Sequence, residues 1–345
     1  MKKIKNILAL TIDTYTTEKL FSKNYPSLIF KKKIFPRNDG NKGLIELKKK
    51  LKKNNYKVFL KKNSKNLTFD YEMHFYSNIK GTMSDNLLLI LPEHPYIDKN
   101  CDQKIISKKY KIIFTNIKKF VDNKKFFYIN WPLYLNTNKI IKNKLNFSCI
   151  IASNKNLLKN VDNSGYAKRC EIIKWFKNHN KGKMHVYGLG WDRPIFSNYY
   201  LSRITNFIFN RLNLSLNLLG EDYRGITMNK IQTASKYKFV FCIENVFNER
   251  GYNTGQIFDA MIASSVPIYL GRPDISSLVP KNCFIDFNKF KNLKKLCNYL
   301  ENMDDKTYLT YQKNIFKFCN KKVVNEISEK KFSDTIISKL LSYEK

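Results

Sequence analysis

The sequence predicts an α/β protein built from two Rossmann-like halves, and three observations carry that expectation. A chain of 345 residues suits two domains better than one. Short apolar runs alternate with helical stretches along its length, the pattern of parallel sheets covered by helices. The stretch from Tyr237 to Phe287 reads as strand, loop, helix, strand, with polar residues where the first strand ends. That is where an open parallel sheet binds a ligand, just beyond the carboxyl ends of its strands.

In chain order, Ile7 to Leu10 reads as a first strand running into a polar turn at Thr11, Ile12 and Asp13. Leu87 to Leu91 is an uninterrupted apolar run, as expected for a strand covered on both faces, and it ends at Pro92-Glu93. Residues 1–140 form the first half on this reading. The lysine- and asparagine-rich stretch Asn136 to Asn146 is the linker, and residues 147–322 form the second half, opened by the strand Phe147 to Asn154. Phe239 to Ile243 is the next buried strand, tipped by Glu244 and Asn245. Thr254 is placed to N-cap a helix whose Ile257, Phe258, Met261 and Ile262 share one face. Val266 to Leu270 is a further strand, left through Gly271 and Pro273, and Cys283 to Phe287 reads as one more. Residues 323–345 read as a helix with Ile327, Ile336, Ile337, Leu340 and Leu341 as apolar positions, able to pack back on the first half.

Composition narrows the function. The net charge of +35 comes from 63 basic against 28 acidic residues. The lysines are spread evenly, and no basic helix, RNA-binding aromatic motif or zinc module accompanies them, so no dedicated nucleic-acid partner is expected. The charge suits attraction of anionic nucleotide sugars and loose attachment to an anionic membrane surface. The seven cysteines form no CxxC pair and the four histidines show no metal-ligand spacing, which favours free thiols and argues against a metal. Lys2, Lys3 and Lys5 imitate the basic start of a signal peptide, but the apolar stretch behind them is short and lacks a cleavage site. No run is long enough to span a bilayer. The expected location is cytoplasmic.

Tyr237-Lys238-Phe239, Glu244-Asn245, Gly251-Tyr252, Thr254, Asp259-Ala260, Val266-Pro267-Ile268-Tyr269-Leu270-Gly271, Val279-Pro280 and Phe284-Ile285 occur in that order. Together they resemble the donor-binding region of the α1,3/4-fucosyltransferases, glycosyltransferase family 10. Weaker likenesses lie upstream in the Leu87–Glu93 strand, Trp131-Pro132-Leu133-Tyr134, Phe147 to Asn154, Arg169, His185 to Gly190 and Tyr223-Arg224-Gly225. The resemblance implies two Rossmann-like domains facing a cleft (GT-B type), with residues 1–140 on the acceptor side and residues 147–322 binding the donor. It implies an inverting transferase that moves fucose from GDP-fucose to a glycan hydroxyl with no obligatory metal. One departure stands out. The family's Thr-Glu-Lys is Thr254-Gly255-Gln256 here, which removes the two charges that meet the nucleotide sugar. A different nucleotide sugar, or a non-catalytic binding homologue, therefore stays open.

Inverting sugar transfer needs a base for the acceptor hydroxyl, stabilisation of the departing diphosphate and a grip on the sugar. On the resemblance Glu93 is the base. Glu244 accepts from donor hydroxyls, Asn245 fixes its loop and the Tyr252 hydroxyl reaches a phosphate oxygen. Thr254, Gly255 and Gln256 meet the phosphates through bare amides and an uncharged donor. Arg224 is the leading diphosphate cation because a guanidinium offers a bidentate fork, with Arg193, Arg250 and Arg169 as rivals.

Overall fold

The computed structural model describes residues 4–11, 42–60, 67–75, 82, 84–91, 93–133, 135, 137, 140–154, 162–194, 199–212, 214, 216, 218–321 and 325–344. The readings at Lys2, Lys3, Ile12, Asp13, Pro92, Tyr134 and Asn136 fall outside them. The chain forms two compact units. One comprises Met1–Tyr134, Arg250–Tyr252 and Val323–Lys345, the other Leu135–Glu249 and Asn253–Lys322.

In the first unit β1 (Lys5–Thr11), α1 (Lys42–Lys53), β2 (Tyr56–Leu60), β3 (Tyr71–Phe75), β4 (Leu87–Leu91), α2 (Gln103–Lys109), β5 (Ile112–Thr115) and β6 (Phe126–Tyr128) alternate along the chain. Their sheet runs β2-β1-β3-β4-β5-β6 and every pairing is parallel. β3, β4 and β5 are buried along their whole length, which is why β4 reads as a solid apolar run. Two polar residues interrupt β3, and each is satisfied inside the unit. His74 Nε2 lies 2.9 Å from Glu72 and its Nδ1 lies 2.8 Å from the Tyr110 hydroxyl. α1 buries Leu44, Leu47 and Leu51 and exposes Lys48, Lys49, Lys52 and Lys53. Beside α1 sits the C-terminal helix α9 (Glu329–Tyr343), N-capped by Ser328, whose side chain accepts from the Lys331 amide. Phe332, Ile336, Ile337 and Leu340 share one core with the α1 leucines, Ile7 and Met73. Trp131 meets Phe332 edge to face, so it packs in this core.

The second unit contains β7 (Asn146–Ile151), α3 (Gly165–His179), β8 (Met184–Tyr187), α4 (Tyr199–Arg211), α5 (Lys230–Ala234), β9 (Tyr237–Ile243), α6 (Gln256–Ile262), β10 (Val266–Leu270), β11 (Ile285–Asp286), α7 (Leu293–Glu301) and α8 (Asp305–Cys319). The strands are parallel in the order β11-β10-β9-β7-β8. The order reverses between β7 and β9, so a ligand crevice belongs at the carboxyl ends of those two strands.

Three local readings need revision. The expected strand Cys283 to Phe287 is mostly turn, with 3-10 turns at Lys281–Cys283 and Phe287–Lys289 around a two-residue β11. Thr254 is not the N-cap of α6; Gly255 is, in the left-handed region at φ 84° and with no side-chain cap. The described part of the linker is tied into the second unit. The Ile141 amide donates to Ser264 Oγ, and the Lys144 amine donates to the Ser235 and Ala263 carbonyls and to Ser265 Oγ. Burial pushes that amine down to about 7. All seven cysteines are free, and only Cys170 is exposed.

Candidate active site

The tip of β9 is built around Glu244, whose side chain is fully buried. One of its oxygens accepts the Thr254 amide at 2.8 Å and the Thr254 hydroxyl at 2.5 Å. Two glycines make room for it. A Cβ on Gly271 would lie 2.2 Å from the Tyr269 hydroxyl and 2.5 Å from Glu244 Cγ, and one on Gly165 would lie 1.6 Å from the Glu244 carbonyl oxygen. Burial, reinforced by the Glu244 carboxylate, raises the Tyr269 hydroxyl far above its usual value, so it stays a neutral phenol. Asn245 accepts from Arg169 Nη2 at 3.0 Å, and Arg169 Nε donates to the Ile243 carbonyl at 3.1 Å. Arg169 is buried and tied to the strand end, so it clamps β9 and is not a phosphate cation on offer.

Thr254, Gly255 and Gln256 continue from this carboxylate. Gln256 turns back on the strand: its amide donates to the Ile243 carbonyl at 3.2 Å and to Thr254 Oγ1 at 3.0 Å. The Ile243 carbonyl therefore takes donors from both Arg169 and Gln256. Gly255 fits its position because side-chain-bearing residues are strained at positive φ. The sequence departure is thus locally consistent, a glycine where the backbone turns left-handed and a glutamine whose polar end closes the strand tip.

The predicted cations separate. Arg193 is buried, bound bidentately to Asp192 at 2.8 and 3.1 Å, and lies over the Phe209 ring. The guanidinium holds the Asp192 carboxyl below its usual range. Arg193 therefore anchors its own loop to α4 and is not presented to a ligand, contrary to the expectation for it. Arg224 is exposed. Its amide donates to the Val186 carbonyl at 2.9 Å, extending the sheet edge beside β8, and its Nη2 lies 3.1 Å from His185 Nε2. A guanidinium only donates, so His185 Nε2 accepts and the ring proton sits on Nδ1, 2.8 Å from the Tyr237 hydroxyl. That hydroxyl also meets the Tyr187 hydroxyl at 2.8 Å. Burial first, and then the Arg224 charge, push His185 below its usual value, in keeping with the neutral ring this geometry requires.

In the first unit Glu93 follows β4 and is half-buried. Its Oε1 accepts from the His94 amide at 3.1 Å and from the Tyr252 hydroxyl at 2.7 Å. Tyr252 is fully buried, with its ring edge-on to His94 at 5.6 Å. The hydroxyl expected to reach a phosphate thus bonds the candidate base. Gly251 makes this seat feasible. At φ 86° its Cβ would lie 2.2 Å from the Asn116 carbonyl oxygen, and the Arg250 carbonyl next to it accepts from the Lys118 amide. The Tyr252–Glu93 pair escapes sequence reading because 159 residues separate the partners. The buried bidentate pair Arg272–Asp274 after β10 also lies beyond the sequence expectations, although an Arg-Pro-Asp turn behind a strand is a legible cue.

Among the described residues no three His, Cys, Asp or Glu side chains converge to hold a metal ion, and no helix is long and apolar enough to cross a membrane.

The chain is 39% identical over 71 residues to an alpha-(1,4)-fucosyltransferase of Arabidopsis thaliana, a match covering 21% of this chain and 18% of that protein. It is 33% identical over 88 residues to the alpha-(1,3)-fucosyltransferase FucT of Helicobacter pylori, covering 26% of this chain and 17% of that one. The matches thus span under a fifth of either relative. A crystal structure of an alpha1,3-fucosyltransferase with GDP-fucose superposes with a TM-score of 0.54 at 15% identity, over 98% of this chain and 90% of that one. At that identity the likeness concerns the fold, and it is the GT-B fold of two Rossmann-like domains. Residues 142–336 match the family described as glycosyltransferase family 10 (fucosyltransferase) C-term. That match covers more than half of the chain and takes in the Glu244–Thr254 tip and the VPIYLG strand, and so the protein belongs to glycosyltransferase family 10.

Proposed function

We propose that the protein transfers fucose from GDP-fucose to a glycan hydroxyl with inversion and without an obligatory metal. Family membership supports the reaction class, and a structural neighbour crystallised with GDP-fucose supports the donor. The observation that carries the mechanism is Glu93, a half-buried carboxylate with one oxygen fixed by the Tyr252 hydroxyl and the His94 amide. A carboxylate held in one orientation is prepared to take the acceptor proton. The acceptor oxygen then bonds the anomeric carbon as the bond from that carbon to the diphosphate breaks, the glycoside forms and GDP leaves. Arg224 offers the charge-assisted donors for the departing diphosphate. Glu244 holds Thr254, which orders the start of α6 beside the strand tip.

The test is GDP release by the purified chain from GDP-fucose and other nucleotide sugars, with galactose- and N-acetylglucosamine-bearing acceptors, with and without a chelator. Glu93→Gln should lower acceptor-dependent turnover by about 10²- to 10⁴-fold. Equal turnover would remove Glu93 from the base role, and a chelator-sensitive rate would remove the metal-free reading. A second reading, another nucleotide sugar as donor, is favoured by Gln256, whose amide faces protein acceptors where the family carries a lysine. Faster release from a different nucleotide sugar would establish it, and no release from any donor would leave a binding homologue.

A further inference from the structure

α4 and the chain that follows it carry an apolar surface that the proposed reaction does not use. Ile204, Phe207, Ile208 and Leu212 recur at helical spacing along one stripe, and Phe207 is 69% exposed. The opposite side is anchored: Phe209 lies under the Arg193 guanidinium, and the Leu214 amide donates to the Phe209 carbonyl. Beyond the helix the alternating Leu214, Leu216 and Leu218 are also exposed, on backbone fixed by the Leu216 amide to Asp192 and by Lys177 Nζ to the Leu218 carbonyl. Scattered exposed apolar residues need no explanation, but a contiguous run marks an interaction surface.

Charge identifies the occupant. From Tyr199 to Leu219 the sequence contains Arg203 and Arg211 and no acidic residue, within a chain of net charge +35. Arg211 is exposed in the last turn of α4 and Lys177 stands beside Leu218. An apolar stripe with Arg211 and Lys177 beside it, in a chain of net charge +35 and with the acidic pair Glu221-Asp222 only beyond its end, fits an interfacial helix, with leucine and phenylalanine at the headgroup–acyl boundary and the cations at anionic headgroups.

We infer that α4 with Leu212–Leu218 is a docking surface for an anionic membrane, holding the second unit against a lipid face. The inference is independent of which sugar is transferred. It is tested by flotation of the full chain with phosphatidylcholine vesicles and with vesicles containing phosphatidylserine. Binding should require phosphatidylserine, and Ile204→Ser with Phe207→Ser should weaken it by about tenfold or more through lost apolar insertion. A control removing charge elsewhere, Lys313→Glu with Lys317→Glu on α8, should change it far less. Binding kept by the serine variant but lost by the α8 control would show that net charge alone carries binding and would overturn the inference. So would equal binding to phosphatidylcholine, absence of binding at low salt, or a self-associated chain that the serine variant dissociates without vesicle binding. Matching thermal melts of both variants establish that folding is intact.

Discussion

Tyr252 links two readings of one side chain. A tyrosine in the Gly251-Tyr252 pair suggests a phosphate contact, yet its hydroxyl lies 2.7 Å from Glu93 and its ring is buried against His94. The two roles separate kinetically. Tyr252→Phe should lower kcat about tenfold, the scale of a hydrogen bond to a charged group, and leave the donor KM near its starting value. A raised donor KM with unchanged kcat would restore the phosphate role. His185 supplies a second prediction. Its folded-state value lies below the usual 6.5 because of burial and Arg224. The unfolded chain therefore binds more protons as pH falls through about 6.5, and the stability contributed by neutral His185 is present above that value and lost below it. An NMR titration should place the His185 midpoint under 6.5 and move it upward in Arg224→Ala; a midpoint at or above 6.5 would contradict the Arg224–His185 geometry.

Elements meet here at glycine contacts too close for any side chain. α3 starts against the carbonyl of Glu244, where the Gly165 amide donates to the Asn245 carbonyl at 2.9 Å. Gly165→Ala would bring a Cβ to 1.6 Å from that carbonyl oxygen, and backbone cannot retreat cheaply. The expected loss is about 1–3 kcal/mol or more, measured by chemical denaturation, together with weaker donor binding as the β9 tip shifts. An unchanged midpoint would mean that α3 can slide. The strands themselves were legible, because β4, β10 and β9 from Phe239 onward are apolar and parallel burial requires that. The start of α6 was not. Thr254 looks like an N-cap, but a buried carboxylate ten residues earlier takes its amide and hydroxyl, and the cap passes to Gly255.

At the scale of the whole molecule the C-terminal helix completes the first unit. Ile336 is fully buried in the core shared by α1 and α9. Ile336→Ala should cost about 2–5 kcal/mol, read as a lower denaturation midpoint, with the loss concentrated in the amides of β1 and β3 by hydrogen exchange. Full retention of stability would mean that α9 is dispensable to that core. The sequence by itself determined the α/β class, the buried strands, the helical tail and the fifty-residue signature of the family. Each of these rests on periodicity, composition or residue order, which local physics writes directly into a chain. Tertiary structure alone decided which cation is exposed and which is bound within the fold, since Arg169, Arg193 and Arg224 look alike as letters and differ only in what surrounds them. It also decided that Tyr252 belongs with Glu93. Partners far apart in sequence leave no local mark, because a hydrogen bond depends on the folded distance between two atoms and not on the number of residues that join them.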